Sequence, residues 1–265
     1  MANKSYALVT GASSGIGKAI AIELAKRGYN LVMVARTEAT LVEAAKEISE
    51  KHKVEALPFV ADLSDPEAHA QVKLFCVSKK LPINILVNNA GYAVFGFFEN
   101  IPLQEQIDMK QVNNNAMVSL CYDFIPILKL QPKSYILNVA STASLQAIPG
   151  FSIYAASKAF VVMFTRGLKM ELAKTNIHVC CVLPGPTTSN FIDRAKMDVL
   201  RAASAKFEMP AEKVAQVALK AMFAGAWEVI PGFANAASYI FIKILPKRVA
   251  ERIAANIYLK ALAKL

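Results

Sequence analysis

Cysteine is scarce in this 265-residue chain. Cys76, Cys121, Cys180 and Cys181 are all there are, and no two form a C-x-x-C pair. That spacing excludes the common dithiol and zinc motifs. All four lie in apolar stretches, which predicts buried, reduced thiols and a reducing compartment. Acidic residues are also under-represented, 20 against 30 Lys and Arg, for a formal net charge of +10. An acidic partner suits that balance: nucleotide phosphates, anionic lipid or a coenzyme A ester. Zinc-finger spacing, an aromatic RNA motif and a basic recognition helix are all missing, so no nucleic acid is expected. No apolar run reaches the roughly 18 residues that would span a bilayer. The N-terminus runs straight into a strand without a signal-peptide apolar core. The expected location is cytoplasmic, with a peripheral position at a membrane surface as an option.

What is present is a core. Hydrophobic residues make up 55% of the chain, enough for one large α/β domain. Short apolar runs at 6–10, 31–35, 56–60, 85–87, 134–139, 178–183 and 227–230 read as about seven strands. Helical patterns at 15–27, 40–53, 66–79, 103–130 and 152–173 separate them, the fourth bent near Pro126. Strands alternating with helices imply a single-domain, doubly wound parallel sheet covered on both faces. Residues 1–232 form the nucleotide-binding and catalytic domain in this reading. Residues 187–210 interrupt the alternation, and 233–265 extend the same domain at its end.

Two local patterns carry chemistry. Gly11, Ser13, Ser14, Gly15, Ile16 and Gly17 form a turn between the first strand and the first helix. Glycines there permit a tight turn and close approach of backbone to a pyrophosphate, which the helix N-terminus favours. At the end of the second strand, where NAD-selective proteins place an acid, this chain has Arg36. A guanidinium can grip a 2′-phosphate, so NADPH/NADP+ is preferred to NADH. Ser13 or Lys18 is available to assist. Further along, Tyr154 and Lys158 stand four residues apart, on one helix face, with Ser141 thirteen residues upstream. A free phenol has a pKa near 10, and a neighbouring ammonium is expected to lower it.

The order and spacing of these segments resemble a classical short-chain dehydrogenase/reductase from Tyr6 to about Ser189. The matching pieces also include Asp62-Leu63, Asn88-Asn89-Ala90-Gly91, Val112-Asn113 and Pro184-Gly185. The resemblance implies that Ser141 orients a carbonyl and Tyr154 transfers the proton. It gives Lys158 the nicotinamide ribose, and Asn113 a relay water. Asp62 and Leu63 would meet the adenine, and Asn89, Ala90 and Gly91 the cofactor. Pro184 and Gly185 would lie by the nicotinamide, with a hydroxyl from Thr187, Thr188 or Ser189, Thr187 preferred from the turn geometry, and residues 187–210 would be the substrate loop. It further implies an NADP-dependent enzyme acting on CH–OH groups of a small-molecule carbonyl or alcohol. Pairing through the two long helices would give a homodimer or homotetramer. Ala140 stands where many relatives carry a second serine. Val94, Phe95, Phe97, Phe98, Leu145, Ile148, Phe151 and Phe191 are the expected pocket residues and favour a lipophilic substrate, 3-oxoacyl or steroid-like. A catalytically silent NADPH sensor or scaffold is the alternative. It is disfavoured because such chains generally lose the tyrosine or the lysine.

Beyond Gly232 the chain departs from the minimal pattern. The stretch 233–245 is strongly apolar, and from Lys243 to Leu265 six basic residues face one acid, Glu251. Three roles are open to it: membrane-surface docking, an oligomer contact, or a lid over the site.

Overall fold

The computed structural model describes residues 5–188 and 208–263. Seven strands form one parallel sheet in the order β3-β2-β1-β4-β5-β6-β9. They are β1 (Tyr6–Thr10), β2 (Asn30–Ala35), β3 (Ala56–Val60), β4 (Ile83–Asn88), β5 (Ser134–Val139), β6 (Ile177–Val182) and β9 (Glu228–Val229). A separate two-residue ladder joins β7 (Thr187–Thr188) to β8 (Met209–Pro210). It closes the neck of the candidate substrate loop, whose residues 189–207, Phe191 among them, lie outside the described residues.

Alternation along the strands builds two cores. Ala7, Val9, Leu31 and Met33 pack on one face against α1 (Gly15–Lys26), α2 (Glu38–His52) and α7 (Ala211–Phe223). Tyr6, Leu8, Val32 and Val34 pack on the other, against α3 (Ala68–Ser78), α5 (Ala116–Lys129) and α6 (Ser152–Glu171). Strands buried on both faces are largely apolar, as β1 and β2 are. Pro58 sits in β3, an edge strand, where a missing N–H is tolerated. All four cysteines are buried free thiols.

The long helix expected at 103–130 is interrupted, but not at Pro126. It divides into α4 (Leu103–Lys110), a π-helical turn (Gln111–Asn115) and α5, which carries Pro126 inside it. The asparagine run accounts for the break. Asn113 donates to the Tyr92 carbonyl at 3.0 Å and to Ser157 Oγ at 3.1 Å, and Asn114 donates to the Ser157 carbonyl at 2.8 Å. Bonds leaving the helix on neighbouring residues compete with the regular ladder.

The sheet order reverses direction between β1 and β4, which opens a crevice at the carboxyl ends of the strands. The C-terminal segment forms α8 (Phe233–Ile244) and α9 (Lys247–Leu262), which fold back over that crevice. No helix among the described residues is long and apolar enough to cross a membrane.

Candidate active site

A cavity of about 650 Å³ occupies the crevice. Its nucleotide end is mostly main chain. Gly11 has φ +65, a left-handed conformation, and a Cβ there would lie 2.7 Å from Asn89 Nδ2. A Cβ on Gly17 would lie 2.1 Å from the Gly11 carbonyl oxygen. Gly17 is therefore the packing glycine that lets α1 close on the turn, while Gly11, Ser13, Ser14, Gly15 and Ile16 line the cavity. Ser14 makes no side-chain cap, so the first N–H groups of α1 are left for a ligand. This cradle fits a dinucleotide phosphate.

Thr10 and Asn89 hold the cradle together. Asn89 donates through Nδ2 to the Thr10 carbonyl at 2.9 Å, and Thr10 Oγ1 accepts the N–H groups of Asn89 and Ala90, each at 3.0 Å. Behind them a buried chain runs from Asn88 to Asn138 (2.9 Å) and from Asn138 to Thr165 on α6 (2.9 Å). It locks α6, which carries Tyr154 and Lys158, to the sheet. Arg36, Asp62, Leu63, Ala90 and Gly91 also line the cavity. Arg36 is well exposed and lies 3.5 Å from the Asp62 carboxylate. Burial works to raise the Asp62 pKa, but two hydrogen bonds from Ser64 and the Arg36 charge bring it below the usual value. Lys18 is not among the cavity-lining residues and pairs with Glu47 at 2.7 Å.

Ser141, Tyr154 and Lys158 meet at the middle of the crevice. Ser141 Oγ accepts the Ala143 N–H at 3.1 Å, which leaves its proton free to donate, and it hydrogen-bonds the Tyr154 phenol. Lys158 is buried and donates to the Val139 carbonyl at 3.0 Å. Burial pushes its pKa down to about 8. Burial also pushes Tyr154 up to about 12, with only the Ser141 hydroxyl pulling downward. The lowering expected from Lys158 is therefore not seen. Its Nζ hangs on the Val139 carbonyl, 5.9 Å from the centre of the phenol ring, and desolvation dominates the phenol. Asn113 sits behind the cavity wall, its side chain committed to Tyr92 and Ser157. Gly91 has no room for a side chain, since a Cβ would lie 2.9 Å from Asn113 Oδ1 and 3.3 Å from Lys158 Nζ.

The substrate end differs from expectation. Leu145, Ile148 and Phe151 line the cavity, whereas Phe97 and Phe98 are exposed and Val94 and Phe95 are buried off the lining, in the same cluster as Ile148, Phe151 and Tyr154. The missing wall comes from the C-terminal helices: Asn235, Ser238, Tyr239 and Ile242 of α8, and Ile257 and Tyr258 of α9. Asn235 presses on the Pro184-Gly185 turn, where a Cβ on Gly185 would lie 2.6 Å away. Tyr258 lies against Phe151 at 5.9 Å between rings and packs on the buried cluster that holds Tyr154. Gln146 lines the cavity with its Oε1 buried and without a hydrogen-bond partner. Thr187 lines it too, its hydroxyl donating to the Gly185 carbonyl at 3.0 Å. The only earlier signal for the α8 and α9 residues was the apolar run after Gly232.

A doubly wound nucleotide fold with a serine, a tyrosine and a lysine at its crevice defines a dehydrogenase architecture. The chain belongs to the short chain dehydrogenase family, whose model matches residues 5–200. It is 38% identical over 184 residues to a very-long-chain 3-oxoacyl-CoA reductase-B of Danio rerio, covering 68% of this chain and 58% of that protein. It is 33% identical over 213 residues to a very-long-chain 3-oxoacyl-CoA reductase of Kluyveromyces lactis, covering 78% and 60%. The match thus spans about three-fifths of those relatives' length. Among solved structures, a 7β-hydroxysteroid dehydrogenase superposes with TM-score 0.85 at 26% identity, covering 95% of this chain and 96% of the other. A short-chain dehydrogenase from Sphingobium yanoikuyae in complex with NADPH gives 0.82 at 30%, covering 90% and 92%.

Proposed function

We propose that this chain is an NADPH-dependent reductase of a lipophilic ketone or aldehyde, with 3-oxoacyl thioesters as the first class to test. The observation that carries the reading is the contact between Ser141 and Tyr154 in the same cavity as the glycine cradle. A bound nicotinamide supplies the hydride. A carbonyl that accepts hydride leaves negative charge on its oxygen, and the Ser141 and Tyr154 hydroxyls are the donors within reach of it. Tyr154 Oη then gives up its proton. A phenol held near pKa 12 by burial stays protonated at neutral pH, which suits an acid in the reductive direction. The family resemblance assigns Lys158 to the nicotinamide ribose and Asn113 to a relay water.

Arg36 supports NADPH over NADH, because it has no hydrogen bond or ion pair among the described residues beyond Asp62. The apolar wall of Ile148, Phe151, Ile242 and Ile257 supports a lipophilic substrate. So do the reductase relatives. Exposed apolar side chains on α5 and α6, such as Tyr122, Phe160 and Met163, support pairing of subunits through these helices.

The test follows NADPH absorbance with 3-oxoacyl thioesters of graded length, steroid ketones, retinal and small aldehydes. Tyr154→Phe should turn over about 10²–10⁴-fold more slowly with NADPH affinity unchanged. Undiminished turnover in that variant rules out the proton-transfer role. NADPH binding without turnover of any carbonyl would support the silent-sensor alternative.

A further inference from the structure

Among the described residues, nothing packs on the outer surface of α8 and α9. The inner face of α8 lines the cavity through Asn235, Ser238, Tyr239 and Ile242. Its opposite face leaves Phe233, Ile240, Phe241 and Ile244 in solvent, Phe233 at 92% and Ile244 at 77% exposure. These positions follow helical spacing and make one continuous apolar stripe. On α9, Val249, Ile253 and Ile257 repeat every four residues and are likewise exposed. A soluble face of this kind would normally be polar.

The charges around the stripes have one sign. Lys243, Lys247, Arg248, Arg252 and Lys260 are exposed, and Glu251 is the single acid from 233 to 263. Apolar stripes flanked by basic side chains match an anionic interface, where stems and rings enter the acyl boundary and ammonium groups meet phosphates. Ile257 joins the two surfaces: it is half-exposed and also lines the cavity.

We propose that α8 and α9 dock on the surface of an anionic phospholipid bilayer, so that the cavity opens beside Ile257 toward the acyl region. The occupant is lipid because the exposed charges are uniformly basic, the α8 stripe lies on the side of its helix away from the cavity, and the α9 stripe runs to the cavity at Ile257. The route for a lipophilic substrate rests on the reductase reading, but the docking itself does not.

The experiment is flotation of the full chain with vesicles of phosphatidylcholine alone or mixed with phosphatidylglycerol, at low and high salt. The expected result is capture by the mixed vesicles, weakened by salt and at least ~10-fold weaker on phosphatidylcholine alone. Phe233→Ser with Phe241→Ser and Ile244→Ser should lose capture at least ~10-fold while keeping NADPH binding, since none of the three lines the cavity. Lys243→Gln with Lys247→Gln and Arg248→Gln, which leaves the apolar stripes intact, should lower capture to the phosphatidylcholine level. Equal or no capture on both vesicles overturns the proposal. So does a serine variant that still floats but dissociates from dimer to monomer, which would make the face a subunit contact. Vesicle capture without carbonyl turnover would leave docking standing and sink the reductase reading instead.

Discussion

At the nucleotide end of the crevice the walls are main chain and short polar side chains, drawn together by Thr10, Asn89 and the Asn88–Asn138–Thr165 chain. At the substrate end they are large apolar side chains from α6, the segment before it and the C-terminal pair α8 and α9. The first end tolerates no added atom, because backbone approaches backbone. The second is assembled from side chains that can be re-chosen without disturbing the sheet. A shared nucleotide and a variable substrate call for such a division.

The sharpest way to break the comparison is Gly17→Ala. The added methyl meets a carbonyl oxygen at 2.1 Å, with no flexible side chain to yield. We expect a loss of about 3 kcal/mol or more, read by denaturant unfolding, with dinucleotide affinity lost alongside. Gly167→Ala is the control within a helix: nothing lies within 4 Å of its added methyl, so a gain of about 0.5–1 kcal/mol is expected. Comparable losses in both would deny the cradle its tight packing.

Lys158 tests the middle of the crevice. Its pKa falls from 10.5 to about 8 on folding, through burial. Between these values the unfolded chain holds the proton that the folded chain has released, so stability from this residue rises with pH across that window. Below about pH 8 the ammonium is buried in the fold at full cost. The stability of Lys158→Met relative to the parent should therefore be greatest below pH 8 and decline toward pH 10.5. A difference that stays flat in thermal melts across that range would contradict the shift.

Arg36→Asp should weaken NADPH by about 10²-fold, the value of a lost charge-assisted pair, and leave NADH nearly unchanged. Equal weakening by titration would remove the 2′-phosphate role. At the other end, Tyr258→Ala should change kcat/KM by about 10-fold for long acyl thioesters and little for short ones, with NADPH affinity kept. A uniform loss across chain lengths would mean that Tyr258 supports the fold, not substrate choice.

Much of the nucleotide end was legible because its signals are local. Gly11 to Gly17 is a single turn, and Tyr154 and Lys158 share a helix face by spacing alone. The seven strands were legible for the same reason, since burial on both faces demands unbroken apolar runs. The break at Asn113 was half-legible: three asparagines are poor helix formers, but their partners, Tyr92 and Ser157, lie twenty or more residues away. The more obvious breaker, Pro126, stayed inside α5. The Lys18–Glu47 pair and the exposure of Phe97 are not local signals either, since both depend on how helices and loops pack.

Element order, the glycine turn and the spacing of Ser141, Tyr154 and Lys158 follow from the residues alone, because each depends on neighbours a few residues apart. That α8 and α9 close the substrate end, that Tyr258 packs on the cluster holding Tyr154, and that burial sets both the phenol and the lysine emerge on folding. Those outcomes depend on which distant surfaces meet and on how much water they exclude, and neither is recorded in any short stretch of the chain.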